Sequence, residues 1–337
     1  MTAELMSGAS EEFIRLADPL RPELLALCYR MLGSVHDAED QVQETLIRAW
    51  RSYGDFQGRS SLRTWLYRIA ANCCLRAMES RRRRPLPSGL GEPGGTGTAG
   101  LDTEQEVPGG RLMEADWLQP FPDSVLDGSM ADPAAVVMSR DSMRLALIAA
   151  LQYLPGRQRA VLILRDVLGW PAAEVAGLLG TTTVAVNSSL QRAREQLRKA
   201  APVPEQLTEP DEAADRALLD RYAAAFEQAD VAALTGLLAR DATFEMPPIV
   251  TWFAGRDNIT RFLAARVLTE PSRFRLIPVA ANGQPGFAAY LRDDSGRYQA
   301  HGIQVLTLAG GRVRGVVAFN DPALLASFGL PAQPPAG

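Results

Sequence analysis

Between Pro85 and Gly110 the chain is so dense in Gly, Pro and Thr that no core can form from it. Whatever folds must be built from the stretches on either side. Upstream, residues 11–84 read as helical, with Gly33, Gly54 and Gly58 the few breakers between Glu23 and Glu79. Residues 141–199 return to helical periodicity, and Pro202, Pro204 and Pro210 then mark a shorter spacer. From Asp215 the pattern is helical to about Phe262 and then strand-like around 273–281, 286–292, 297–309 and 312–319. Turn signals at Asn282-Gly283, Asp294-Ser295-Gly296 and Gly310-Gly311 separate those strands. The expected division is a helical bundle at 1–84, a flexible acidic linker at 85–140, a helix-turn-helix bundle at 141–200, a short linker at 201–212, and an α+β domain at 213–330.

A length of 337 residues accommodates two or three domains. The formal charge of −4 conceals strong blocks. Residues 1–44 carry net −6, 45–84 net +8, 85–140 net −7, 141–200 net +4 and 201–337 net −3. Two basic blocks separated by an acidic spacer suggest two contacts with a polyanion. No apolar run is long enough to span a membrane, and the N-terminus, with Glu4, Glu11 and Glu12, lacks a secretory pattern. Cys28, Cys73 and Cys74 have neither zinc-ligand spacing nor a disulfide framework, which fits a reducing cytoplasm. No metal or cofactor is expected.

In the first block, Asp37 can cap a helix, and Val42, Leu46 and Trp50, four apart, are expected in its core. Asp40, Gln43, Glu44 and Ile47 fall on another face, acidic with one apolar member. After Phe56-Gln57-Gly58-Arg59, Ser60 or Ser61 can cap a second helix. Leu62, Leu66, Ile69 and Cys73 make its buried stripe, while Trp65, Arg68, Asn72 and Arg76 share a different face. An aromatic platform with cations and an amide suits an unstacked base beside phosphates. The Arg81–Arg84 run follows.

The stretch Asp37-Ala38-Glu39-Asp40-x-x-Gln43-Glu44, followed by Phe56-x-Gly58-x-Ser60-x-x-x-Thr64-Trp65-Leu66-Tyr67-Arg68-Ile69-Ala70-x-Asn72, resembles region 2 of extracytoplasmic-function sigma factors. The resemblance implies that Asp40, Gln43 and Glu44 face the clamp helices of the polymerase β′ subunit. It also implies that Phe56, Trp65 and Asn72 lie at a pocket for a flipped −10 base, with Arg59, Arg63, Arg68 and Arg76 near the DNA backbone.

In the second block, Pro171 can open a helix that ends at Gly180, and Thr181 or Thr182 can cap the next, running to about Lys199. Val186, Leu190, Ala193 and Leu197 form that helix's buried stripe. Asn187, Ser188, Gln191, Arg192 and Arg194 are left for solvent or DNA, as in the recognition helix of a helix-turn-helix. The phrases Leu154-Pro155-x-x-Gln158-Arg159, Glu174-Val175-Ala176 and Arg192-Ala193-Arg194-Glu195-x-Leu197-Arg198 resemble region 4 of the same family, which reads the −35 element and meets the polymerase β flap. Val186-Asn187-Ser188-Ser189 lacks the arginines many members carry there.

The remainder resembles the SnoaL-like, cone-shaped NTF2 fold, and Trp117-Leu118-Gln119-Pro120-Phe121-Pro122-Asp123 with Asp321-Pro322-Ala323-Leu324 resembles the sigma subgroup that carries it. The subgroup implies regulation in cis, and the general family leaves room for an anti-sigma factor or a small ligand. Phe244, Met246, Trp252, Phe253, Tyr290 and His301 could line the cone's concave side, although such aromatics also serve as plain core. Asp241 and Glu245 are the acids nearby in sequence, but no spacing identifies a catalytic dyad with His301. Two rival functions stay open: a helix-turn-helix regulator acting on duplex DNA alone, and a C-terminal enzyme or sensor with DNA binding secondary.

Overall fold

The computed structural model describes residues 11–79, 83–90, 92–94, 116–127, 142–200 and 212–335. Arg81, Arg82 and most of the 201–212 spacer lie outside them. The described residues fall into two units, one built from 11–84 and 123–200, the other from 85–122 and 212–335.

The first unit opens with α1 (Arg21–Leu32), α2 (Val35–Ser52) and α3 (Leu62–Glu79). Gly33, at φ 72°, closes α1 in the left-handed conformation that glycine takes without strain. Ser34, not Asp37, caps α2: its backbone is extended, and its hydroxyl accepts the Asp37 amide at 3.1 Å. In α2 the buried line is Val35, Ala38, Val42, Thr45 and Ala49. Its steps alternate three and four, holding one face of a 3.6-residue helix. The expected line Val42, Leu46, Trp50 drifts by about 40° at each four-residue step, and it carries Trp50 out to 50% exposure. In α3, Leu66 and Cys73 are buried with Tyr67, Ala70, Ala71 and Cys74, while Leu62 and Ile69 are half-buried.

The second bundle comprises α4 (Leu145–Leu151), α5 (Gly156–Leu162), α6 (Ala172–Leu179) and α7 (Thr183–Ala200). Pro171 stands one residue before α6, and Gly180 ends it at φ 61°. The Thr182 hydroxyl accepts the Ala185 amide at 3.2 Å and starts α7. Val186, Leu190 and Ala193 are buried and Leu197 is half-buried, as the spacing predicts. The two helical blocks pack together within this unit. Tyr67 meets Trp170 with ring centroids 5.2 Å apart, and Arg30 donates to Ser142 Oγ at 2.8 Å.

The second unit holds α8 (Glu212–Glu227), α9 (Val231–Leu237), β1 (Leu238–Met246), β2 (Ile249–Ala254), α10 (Arg256–Phe262) and β3 (Phe274–Ala281). β4 (Gln284–Arg292), β5 (Tyr298–Ala309) and β6 (Arg312–Phe319) complete one sheet in the order β2-β1-β6-β5-β4-β3. The four expected strands are β3 to β6. β1 and β2 fall in the stretch expected to be helical, and in β1 burial does not alternate: Phe244, Glu245 and Met246 are all buried in succession. One sheet face packs on the helices, with Tyr222 and Phe226 of α8 among Phe244, Phe262, Phe274 and Phe287. On the opposite face Ala288, Ile303, Val305 and Phe319 are buried as well. An apolar face of this kind must be covered.

Of the stretch expected to be a flexible linker, the described residues from Pro85 to Pro122 belong to this unit, and those from Asp123 belong to the first. Leu118 and Phe121 are fully buried, and Leu86 nearly so. Phe121 and Asn282 exchange hydrogen bonds, Phe121 N to Asn282 Oδ1 at 2.8 Å and Asn282 N to Phe121 O at 2.9 Å. Pro122 bridges Ala281 at the β3 edge of the sheet. At the β2 edge, Gly94 N donates to Trp252 O at 2.7 Å, and a Cβ on Gly94 would come within 3.1 Å of Thr251. Between the edges, Ser88 N donates to Glu245 Oε2 at 2.9 Å, and Leu118 N to Pro85 O at 3.3 Å. Its few apolar residues cannot make a core of their own, but they can lie on a sheet that already has one.

Candidate nucleic-acid interface

On α2, Asp40 and Gln43 are exposed, and Glu44 is partly so, forming an i,i+4 ion pair with Arg48. Ile47 and Trp50 continue this surface at 44% and 50% exposure. Acids, an amide and two large apolar side chains on one helix face suit a protein partner better than a polyanion.

The loop after α2 and the start of α3 bring aromatics together. Phe56 lies against Trp65 with centroids 4.9 Å apart, and Tyr53 stacks on Phe56 at 6.3 Å. Ser61 caps α3 by accepting the Thr64 amide at 3.1 Å, which sets the direction of the Trp65 side. Arg68, Asn72 and Arg76 are exposed along α3 beyond Trp65. Arg59 is exposed and bonded to Gln57. Arg63 departs from the group: it pairs with Glu23 at 2.7 Å and lies over Tyr67, and the Glu23 bond raises its pKa against the opposing effect of burial. Of the basic run, the described Arg83 and Arg84 are engaged by the protein itself. Arg83 lies over the Tyr153 ring at 4.1 Å, and Arg84 is buried in an ion pair with Asp37.

On α7, Asn187, Ser188, Gln191 and Arg192 are exposed on one side. Arg194 is held by both oxygens of Asp166, at 2.7 and 2.8 Å, and this bond raises its pKa. The guanidinium is therefore already oriented by the protein.

Of the expected C-terminal lining residues, Phe244, Met246 and Phe253 share the helix-packed core, and Trp252 does not join them. Phe244 is buried against Phe262 on the helix-packed face. Its neighbour Glu245 points the other way and pairs in register with Trp252, so Trp252 sits on the face the linker covers. His301 meets Phe274 edge-on at 5.6 Å, and burial together with Arg273 lowers its pKa below 6.5. Asp241 pairs with Arg314, and burial raises the Glu245 pKa against the Ser88 N–H. Two groups escaped sequence reasoning. One is the place of the Leu86–Leu118–Phe121 set, because the Trp117–Asp123 phrase marked two of its members without showing that they are buried on the sheet. The other is Arg159, 4% exposed, which no spacing rule singles out.

Residues 16–84 match Sigma-70 region 2, residues 144–197 match Sigma-70 region 4, and residues 219–316 match the SnoaL-like domain. The chain is 50% identical over 324 residues to the ECF RNA polymerase sigma factor SigG of Mycobacterium tuberculosis, covering 95% of this chain and 84% of that one. It is 28% identical over 196 residues to the ECF RNA polymerase sigma factor SigW of Bacillus subtilis, covering 58% of this chain and 92% of that one. The crystal structure of Mycobacterium tuberculosis extracytoplasmic function sigma factor SigJ shares the fold, with a TM-score of 0.58 at 24% identity over 97% of this chain and 99% of that one. Among the described residues no helix is long and apolar enough to cross a membrane.

Proposed function

Because this chain belongs to the extracytoplasmic-function RNA polymerase sigma factors, we propose that it docks on core polymerase through Asp40, Gln43 and Glu44 and selects promoters with its two basic blocks. Phe56, Trp65 and Asn72 receive an unstacked −10 base while Arg59, Arg68 and Arg76 follow the backbone. Asn187, Ser188, Gln191 and Arg192 meet the −35 element, with Arg194 steered by Asp166 and the β flap bound by the same bundle. The observation that carries this reading is the Phe56–Trp65 contact beside an exposed Arg68–Asn72–Arg76 row. A regulator of intact duplex DNA has no use for an aromatic platform at that place.

The same reading extends to regulation in cis. The chain leaves the first unit after Arg84 and returns to it at Asp123. A free chain from Pro85 to Leu118 could span on the order of 100 Å. The hydrogen bond from Leu118 to Pro85 closes that span, which supports a role for the C-terminal unit in limiting how far the two DNA-contacting blocks separate. Holding or releasing the linker changes the fraction of molecules whose spacing fits a promoter, and apparent affinity follows that fraction.

Run-off transcription with core polymerase tests both parts. Promoters come from transcript sequencing after overexpression, and the full chain is compared with a Phe121→Ala variant. The reading expects promoter-dependent transcripts, with a several-fold change in the variant. No transcript would reject the sigma role, and equal activity across promoters would reject regulation through the linker.

A further inference from the structure

Val184 is 74% exposed, more than any other large apolar side chain among the described residues. It is the second residue of α7, in the turn that the Thr182 hydroxyl caps. At about 100° per residue, Gln191 lies about 20° from Val184 round the helix, Ser188 about 40° and Asn187 about 60°. All three are exposed, whereas the buried Val186, Leu190 and Ala193 occupy the opposite side. Arg192 stands at the rim of the exposed face, about 80° from Val184. Arg194, on the other rim, is held by both oxygens of Asp166, and Glu195, one turn further along, pairs with Lys199. From Val184 to Gln191 the row therefore holds a branched apolar side chain, a hydroxyl and two amides, and no charged side chain.

We propose that Val184 reads a base by packing on a thymine C5-methyl group, and that with Asn187 and Gln191 it makes the −35 contact selective for A·T pairs. This rests on the reading of α7 as the −35 helix and adds the class of base pair it takes. In a helix-turn-helix the first turns of the second helix meet base edges in the major groove. There thymine alone of the four bases offers a methyl group, a side-chain amide pairs bidentately with adenine, and arginine or lysine takes guanine. The row has the first two kinds of reader and lacks the third. Phosphate oxygens have no use for an apolar side chain, so a methyl-bearing base edge is the occupant that Val184 fits. From Val184 to Gln191 the helix rises about 10 Å, about three base-pair steps. The site read is accordingly a short core of adjacent A·T pairs.

Run-off transcription by core polymerase with the full chain, from a promoter whose −35 segment is randomised, tests the proposal. Selected segments should be enriched in A·T pairs at about three or four adjacent positions. Uracil then replaces each thymine of the best segment in turn, which removes only a methyl group. One replacement should weaken promoter binding by the wild-type holoenzyme about fourfold, the scale of one buried methyl, and should leave binding by Val184→Ala unchanged. Gln191→Ala should relax selection at one A·T pair about tenfold. Both substitutions fall at exposed positions, where the fold tolerates them. No transcript from any segment would reject the sigma role and this proposal with it. Transcripts from segments selected for G·C pairs would overturn the proposal and leave the sigma role standing. So would a uracil penalty absent from the wild type or retained by Val184→Ala, or selection unchanged in Gln191→Ala.

Discussion

The Arg84 guanidinium is buried against the Asp37 carboxylate, joining the last residue of the basic run that follows α3 to the first turn of α2. One member of an apparent DNA-facing arginine tract is thus part of the protein's interior. Removing Arg84 breaks this buried pair from one side, a loss of about 3 kcal/mol or more. Arg84→Ala should therefore lower the urea midpoint of the first unit markedly. The double variant Arg84→Met with Asp37→Asn should recover much of that loss, because both charges leave together.

The linker carries the second prediction. Phe121 is fully buried, so Phe121→Ala should cost about 3–5 kcal/mol of the C-terminal unit's stability. Hydrogen exchange should accelerate at the Phe121, Asn282 and Leu118 amides, whose bonds hold the strap. Unchanged exchange at all three would mean that this segment is not a layer of the sheet domain.

How much of this was legible beforehand follows from local physics. The four C-terminal strands and the Trp65–Arg68–Asn72–Arg76 face are visible in their spacing, and the helix-turn-helix in its spacing together with its family phrases. Trp50 was misplaced because three residues at i+4 drift off a face. β1 escapes the pattern because a strand covered on both sides loses its alternation. The linker's place was hidden for a different reason: Leu118 and Phe121 find partners far away in sequence, and no local pattern encodes such a partner. Arg159 is hidden likewise, since its acceptors are mostly backbone carbonyls.

His301 gives a pH signature. Its folded pKa lies below the ordinary 6.5, so the unfolded chain binds the proton more tightly. Stability of the C-terminal unit should fall as pH drops through 6.5 toward the folded value, then level off. His301→Gln should flatten that portion of the curve in thermal unfolding followed from pH 7 downward. An identical slope in the variant would place the titration elsewhere.

Charge reversal tests the docking face. Asp40→Lys with Glu44→Lys alters exposed positions, where substitutions usually stay within about 0.5 kcal/mol. The loss of the Glu44–Arg48 surface pair adds little. Folding should persist while capture of the polymerase β′ subunit falls. Undiminished capture would remove this face from the interface.

If this chain opens promoters as part of the polymerase, with Asn72 at the melted base, strand opening is readable at individual thymines. Permanganate footprinting of a duplex promoter, with and without core polymerase, reads this directly. The account predicts reactive thymines in the −10 element only when core and the wild-type chain are both present. Asn72→Ala should lose that reactivity on duplex DNA and regain transcription on a premelted bubble, whereas Arg192→Ala should weaken binding to either template. Tight binding by the chain alone without reactive thymines, or normal melting by Asn72→Ala, would contradict it.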